Sequence, residues 1–256
     1  MNYTQLFMKS LIHRYVNWNW NWNLDSALRY KKAISIIKKI KPITIVEIGS
    51  GSRGISAYLK YPSFGIDIAF DRVISTALQR RIKALGTKLP FHNRSIDFVI
   101  STDMLEHVNA AMRPSVIKEM FRIVKVSGVI YITVPVGQES ENADCRVNKA
   151  YKRKHGVAHP MLRDHIKYGL PCAKEIINLV EIEASNLGWS MTVFENTPVS
   201  LWEWNLMWFG VERWMLGLRH FQRPILQLLY PFLMRIKSKS NYRIIIIASK
   251  MDISND

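Results

Sequence analysis

Two carboxylates and three glycines are the residues here whose types and spacing suit chemistry. Gly49, Gly51 and Gly54 follow a G-x-G-x-x-G spacing, with Glu47 two residues ahead of the first glycine. Asp67 lies twenty residues beyond Glu47 and closes the short apolar run from Phe64 to Ile68. Glycines let the chain turn sharply and bring backbone N–H groups close to a ligand. A carboxylate placed as Asp67 is can accept both hydroxyls of a ribose. Glu47 would repel a pyrophosphate and attract a cation. A ligand with a ribose, a positive charge and no phosphate satisfies both acids, and S-adenosylmethionine has these three properties.

These residues need rigid elements to hold them. Ile43 to Ile48 is a short, nearly continuous apolar run, the pattern of a buried parallel strand. Ile55 to Lys60 opens a helix whose N-terminus faces the ligand. From Ile43 to Val134 the pattern predicts strand, helix, strand, helix, strand, strand, helix, strand. The last helix starts near Pro114 and stops at Ser127-Gly128, and Ile130 to Val134 is the fifth strand. Such an order implies an α/β fold with a parallel sheet and right-handed crossovers, with ligands beyond the carboxyl ends of the strands. Glu47, Asp67 and Ser101 to His107 fall at those ends.

Ahead of the sheet, Asp25 to Ile40 reads as a helix with Ala27, Tyr30, Ile34, Ile37 and Ile40 on one stripe, closed by Pro42. Beyond it, Ala173 to Leu187 reads as a helix with Ile176, Ile177, Val180 and Ile182 on its apolar face, capped by Gly188. Trp189 to Phe194 and Tyr242 to Ser249 supply a sixth and a seventh strand.

Three further blocks carry a resemblance. Leu89-Pro90-Phe91, Ser95 to Ser101 and Asp103-Met104-Leu105-Glu106-His107-Val108 come first; Glu119 to Gly128 follows, and Tyr242 to Ile247 comes last. In type and order they are similar to the class I S-adenosylmethionine-dependent methyltransferases, in particular the type 11-like group that methylates small molecules and lipids. The resemblance covers roughly residues 42–135 and 241–250. It implies a Rossmann-like, seven-stranded, mostly parallel sheet with an antiparallel last strand. It also implies a cofactor site. Glu47 reaches the methionine ammonium through a chain of hydrogen bonds. Gly49 and Gly51 pass under the methionine, with Ser50 and Gly54 in the same loop. Asp67 holds the ribose, Ile68 lies against the adenine, and Ser101 and Asp103 line the methionine end. Relatives place an acid shortly before Leu-Pro-Phe to meet the adenine. Here the stretch is Ala84 to Lys88, so a backbone carbonyl or Thr87 takes that part.

An acceptor that keeps its proton needs a general base. The candidates are His107, Glu106 and Asp103 at the strand ends and His165 and His159 on the lid, and His107 and His165 are preferred because imidazole titrates near neutrality. His155, His159 and His165 are spaced by four and then six residues, which matches no standard zinc pattern, so no metal is expected.

The domain reading is an N-terminal helical and aromatic extension (1–41), a methyltransferase core (42–196 plus 241–251), a lid-like loop (136–172) and an amphipathic helical hairpin inserted before the last strand (197–240). Trp18, Trp20 and Trp22 belong to the extension, and the insertion holds Trp202, Trp204, Trp208 and Trp214. The chain of 256 residues carries a formal charge of +16. Nucleic acid, an anionic membrane surface or an acidic substrate each suits that balance. Two cysteines without C-x-x-C spacing fit a reducing compartment. No run of eighteen apolar residues exists, so a spanning helix is not expected.

The leading expectation is methyl transfer to an oxygen or carbon of a small or lipid-linked acceptor. It takes place in the cytoplasm, with contact to the inner membrane face. The alternative is an RNA methyltransferase. Its base-amino subtype is disfavoured because Ser101-Thr102-Asp103-Met104 stands where that chemistry uses an Asn/Asp-Pro-Pro-Tyr/Phe loop. A non-catalytic module is opposed by the intact Glu47, glycines and Asp67.

Overall fold

A computed structural model describes residues 23–52, 54–59, 61–70, 78–207, 219–236 and 238–250. Trp18, Trp20 and Trp22, the helix expected between the second and third strands, and residues 208–218 of the insertion lie outside the described residues.

The elements run α1 (Leu24–Ile40), β1 (Ile45–Ile48), α2 (Ser56–Leu59), β2 (Ser63–Asp67), β3 (Gln79–Lys83), β4 (Ile96–Thr102), α3 (Arg113–Ile123) and β5 (Val124–Pro135). Then follow α4 (Gln138–His155), α5 (Arg163–Tyr168), α6 (Ala173–Asn186), β6 (Ser190–Pro198), α7 (Val199–Leu206), α8 (Arg219–Leu233) and β7 (Asn241–Ser249). The seven strands form one sheet in the order β3-β2-β1-β4-β5-β7-β6. β1 to β5 pair in parallel, and β7 runs antiparallel to both β5 and β6. This is the Rossmann-like arrangement the resemblance implied.

The near-continuous apolar strands follow from burial on both faces. Val99, Ile130, Ile132 and Ile246 point to one side, against Val116, Ile117 and Met120 of α3 and Ile176 and Val180 of α6. Their neighbours Phe98, Ile100, Tyr131, Ile245 and Ile247 point to the other, against Tyr30, Ala33, Ile36 and Ile37 of α1. Successive residues thus serve opposite layers, as the strand period of two requires. Each such side chain contributes about 1.5–3 kcal/mol when fully buried.

Helix α1 begins one residue earlier than expected, because the Asn23 side chain accepts a hydrogen bond from Ser26 N at 2.7 Å and caps it. It ends where Lys41 turns left-handed, just before Pro42. Three expectations need correction. The helix preceding β5 stops at Ile123, not at Ser127-Gly128. Lys125 to Gly128 instead swell β5 between the Ile96–Val124 and Phe98–Val129 pairs. A Cβ on Gly128 would lie 2.8 Å from the Asp97 carbonyl, so this swelling needs glycine. Ile182 is exposed on α6, and Ala184 takes its place in the buried stripe.

The third correction concerns 136–172, read as a loop. Residues 138–155 form the long helix α4, and Arg163–Tyr168 forms α5. The inward stripe of α4 is Ser140, Ala143, Asp144, Val147 and Tyr151, which has helical spacing but mixes polar and apolar types. Hydrophobic periodicity is blind to such a stripe. Glu139 and Glu141 in the first turn and Lys152 to His155 in the last complement the helix dipole, and Gly156 caps it in left-handed geometry.

Candidate active site

The glycine loop leaves β1 through Gly49, Gly51 and Gly54, all with φ between +54° and +73°. Gly49 N and Ser50 N donate to Ile66 O at the tip of β2. Asp67 accepts from Gly51 N at 2.8 Å and from Ala69 N at 3.2 Å. It thereby ties the loop to the second strand. Beside it opens a cavity of about 450 Å³. Gly49, Asp67, Ile68, Asp103 and Met104 line it, together with Ala84 to Thr87. Its walls are mostly apolar, with Asp67 on one side and Asp103 on the other.

Glu47 does not reach that cavity. It is fully buried beneath the loop. One carboxylate oxygen accepts from Tyr30 Oη at 2.6 Å and from Thr102 Oγ1 at 3.2 Å, and the other from Ile55 N at 2.5 Å. Burial raises its carboxyl above the ordinary range, while the Tyr30 hydroxyl and the Ile55 N–H pull it back. Its position is that of a keystone joining α1, β1, β4 and the start of α2. Gly54 stands close enough that a Cβ would lie 2.7 Å from Glu47 Oε2. Ser101 is buried on β4, and its hydroxyl has no partner among the described residues.

Asp103 sits at the tip of β4 with φ +47°, a conformation Asp tolerates better than most residues. Its carboxylate is held at 2.8 Å by Arg243, at 3.3 Å by Arg29 and at 2.7 Å by Thr133 Oγ1. Arg243 also reaches Asp25 at 2.8 Å and Thr197 Oγ1 at 3.0 Å. Burial would raise the Asp103 carboxyl, but Arg243 and Arg29 outweigh it and hold the group below the usual carboxylate range.

A second cavity, about 480 Å³, opens on the other side of Asp103 and His107. Asp25, Arg29, Asp103 and Arg243 form a charged floor; Leu24, Trp202, Leu206 and Leu226 give apolar walls. Tyr242 stacks on Trp202 with centroids 3.9 Å apart. Glu106, His107, His159 and His165 line one end. His165 Nδ1 pairs with Asp144 at 2.7 Å, and Asp144 also accepts from Tyr242 Oη at 2.9 Å. His107 Nδ1 pairs with Asp164 at 2.9 Å. A carboxylate can only accept, so each imidazole donates from Nδ1, and in the neutral ring that leaves the Nε2 lone pair open. Burial, and then Asp103, hold the Glu106 carboxyl well above its ordinary range.

The structure therefore brings Gly49, Asp67, Ile68 and Asp103 to one cavity and His107 and His165 to the end of the other, while Ser50, Gly51, Gly54, Ser101 and Glu47 shape the strand tips behind them. Arg29, Arg243 and Asp144 were not singled out from the sequence. One signal pointed at Arg243: it is a cation at the head of the apolar run Ile244 to Ile247. Asp25 and Arg29, one helical turn apart on α1, gave a second.

Comparison with known proteins gives a consistent class. Residues 46–132 match a family model described as a methyltransferase domain. No curated protein matches the chain. The solved methyltransferase domain of bacterial CtHen1 superposes with a TM-score of 0.51 at 11% identity, covering 89% of this chain and 100% of that one. An S-adenosylmethionine-dependent methyltransferase from Thermotoga maritima gives 0.51 at 13% identity, covering 96% and 97%. Phosphoethanolamine N-methyltransferase 2 of Haemonchus contortus, in complex with S-adenosylmethionine, gives 0.50 at 16% identity, covering 86% and 52%. At such identities the likeness is one of fold. Residues 46–132 thus carry a methyltransferase domain, and the sheet that holds them has the Rossmann-like fold of the solved methyltransferases. The matched stretch makes the chain a methyltransferase.

Proposed function

We propose that this methyltransferase acts on an oxygen or carbon of a small or lipid-linked acceptor held in the second cavity. The observation that carries the reading is the shared wall: Asp103 and His107 line both cavities. Bound S-adenosylmethionine supplies a methyl already activated by its sulfonium. The work left to the protein is holding two partners in line and near contact, which accounts for much of such a rate. Asp67 grips the ribose, and Ile68 with Ala84 to Thr87 receives the adenine. Asp103, fixed by two arginines, sets the boundary between the partners. The charged floor and apolar walls of the second cavity suit an acceptor with a polar head and an apolar body. A hydroxyl acceptor loses its proton at the Glu106–His107–His165 end. The segment 136–172 covers that cavity as a structured lid, with His159 and His165 facing inward.

Transfer of labelled methyl groups to fractionated cell extract tests the reading. Label in small molecules or lipid is the expected result, and label in RNA would return the nucleic-acid alternative. Asp67→Ala is expected to weaken cofactor binding in calorimetry by about 10–100-fold, since a hydrogen bond to a charged group is worth about 1.5–3 kcal/mol. Unchanged affinity would defeat the assignment of Asp67.

The lipid-linked side of the proposal is supported by α8. Leu226 is buried against Leu24, Leu28 and Leu201, and Tyr230 Oη donates to Ala27 O at 2.9 Å, so one face of the helix is docked. The opposite face leaves Leu228 79% and Phe232 67% exposed, with Arg235 and Lys239 exposed nearby. Among the described residues, no helix is long and apolar enough to cross a membrane. An apolar stripe flanked by cations is the form of an interfacial helix on anionic lipid. On this reading the enzyme works in the cytoplasm against the inner membrane face. The chain should float with vesicles containing anionic lipid, and the Leu228→Asp, Phe232→Asp double variant should stay in the bottom fraction. Equal flotation of the two proteins would remove α8 from the account.

A further inference from the structure

We propose that Glu106, His107 and His165 form a binding site for a divalent first-row metal ion at the end of the acceptor cavity. Each residue offers one donor atom, and these atoms lie within 4.8 Å of one another. Ligands on bonds of about 2.0–2.2 Å stand about 3.3–3.6 Å apart around a tetrahedral ion, so the three groups close by up to about an ångström when they take one up.

Three observations point to a ligand rather than to packing. Glu106 Oε2 and His165 Nε2 are buried and have no hydrogen-bond partner among the described residues. Buried polar atoms are nearly always satisfied, so two orphans a few ångströms apart call for an explanation. Glu106 Oε1 stands 3.9 Å from His165 Nε2, too far for a hydrogen bond and about right for two atoms that share an ion. Both imidazoles are also set as metal-binding histidines are. His165 gives Nδ1–H to Asp144 and His107 gives Nδ1–H to Asp164, which fixes ring and tautomer and turns both Nε2 lone pairs outward. The rings lie 5.1 Å apart, centroid to centroid.

The supporting frame is rigid. Glu106 and His107 ride a single 3₁₀ turn, Leu105–His107, and Arg113 Nε locks it by donating to Leu105 O at 3.1 Å. His165 comes from α5, which packs against that turn. The histidine spacing inside 155–165 gave no metal signal because the ligands come from two separate elements. Two imidazoles and one carboxylate suit zinc, cobalt, manganese or iron in the divalent state, and leave coordination positions open toward the cavity. An ion held by these three residues would lower the pKa of a hydroxyl bound to it. The site therefore selects acceptors that carry a hydroxyl. That acceptor role rests on the methyl-transfer reading above, whereas the ion site stands on its own geometry.

The test uses the full chain, stripped with a chelator and titrated with Co²⁺ under visible absorption, with cofactor binding measured separately by calorimetry. One equivalent should bind. His107→Ala and His165→Ala should each weaken binding at least about 100-fold. Asp164→Asn, which removes only the group that orients His107, should weaken it about 10-fold. His107 and Asp164 are partly exposed, so these two variants keep the result readable if His165→Ala fails to fold. A protein that binds the nucleoside but takes up no Co²⁺, or takes it up equally in the His107→Ala chain, overturns the metal site alone. A protein that binds Co²⁺ through these residues but ignores the nucleoside overturns the methyl-transfer reading and leaves the site standing.

Discussion

An Arg243→Met chain is expected to melt on the order of 10 °C below the parent. Arg243 is 1% exposed and gives its guanidinium to Asp103, Asp25 and Thr197. Removing one partner of a buried ion pair leaves the other charged and unpaired, which costs about 3–5 kcal/mol. For a domain of this size each kcal/mol moves the melting temperature by about 2–4 °C. The effect should also depend on pH with a definite sign. The Asp103 carboxyl is depressed in the folded protein. Its pairing therefore stabilises fully above the unfolded value near 3.9, and that contribution fades as pH falls through the lower folded value. The gap between parent and variant should thus be widest at neutral pH and narrow below about pH 4. Thermal melts followed by circular dichroism at several pH values would show this. A gap of only a degree or two, or one that widens in acid, would contradict the assigned network. Adding Asp103→Asn to the variant removes the stranded carboxylate and should recover part of the loss.

Gly49→Ala is expected to weaken cofactor binding at least about 30-fold. Gly49 has φ +73°, where an alanine costs about 1–2 kcal/mol. Its Cβ would lie 2.1 Å from Met104 Cγ and 2.6 Å from Met104 Cβ. Those are the inner atoms of the side chain, so Met104 must move bodily, and such overpacking costs a further 1–3 kcal/mol or so. Met104 lines the cavity beside Asp67, proposed above to hold the cofactor, and its displacement changes the shape of that cavity directly. Calorimetry with S-adenosylmethionine measures the loss. The double variant Gly49→Ala, Met104→Ala removes the collision but keeps the strained backbone, so it should recover part of the affinity. Parental binding by the single variant would mean that the loop is freer than its hydrogen bonds to Ile66 imply.

How far the sequence could be read depended on the range of each interaction. Strands buried on both faces write their own signature as apolar runs, and Ile45 to Ile48 or Ile244 to Ile247 needed no partner to be legible. The glycine loop and Asp67 were equally local. Glu47 was found, but its surroundings were not. Its partners Tyr30 and Thr102 are 17 and 55 residues away, and no spacing rule connects them. A carboxylate read as facing a cation proved to be enclosed by hydroxyls and a backbone N–H. The charged floor of the acceptor cavity was hidden for the same reason, since Arg29 meets Asp103 across 74 residues. Helix α4 was missed on different grounds: Ser140 and Asp144 occupy its inner stripe and hydrogen-bond to Tyr242 and His165, so polar pairs stand where apolar residues would have revealed a helix.

The guanidinium that completes the floor of the acceptor cavity lies on the last strand, 218 positions after the Asp25 carboxylate it meets. A ribosome adding roughly 5–20 residues per second takes roughly 10–45 s to bridge that interval. Until β7 emerges, Asp103 has Arg29 and Thr133 but lacks Arg243, and β5 and β6 lack the strand that joins them. The floor of the second cavity is therefore complete only once β7 has taken its place between β5 and β6.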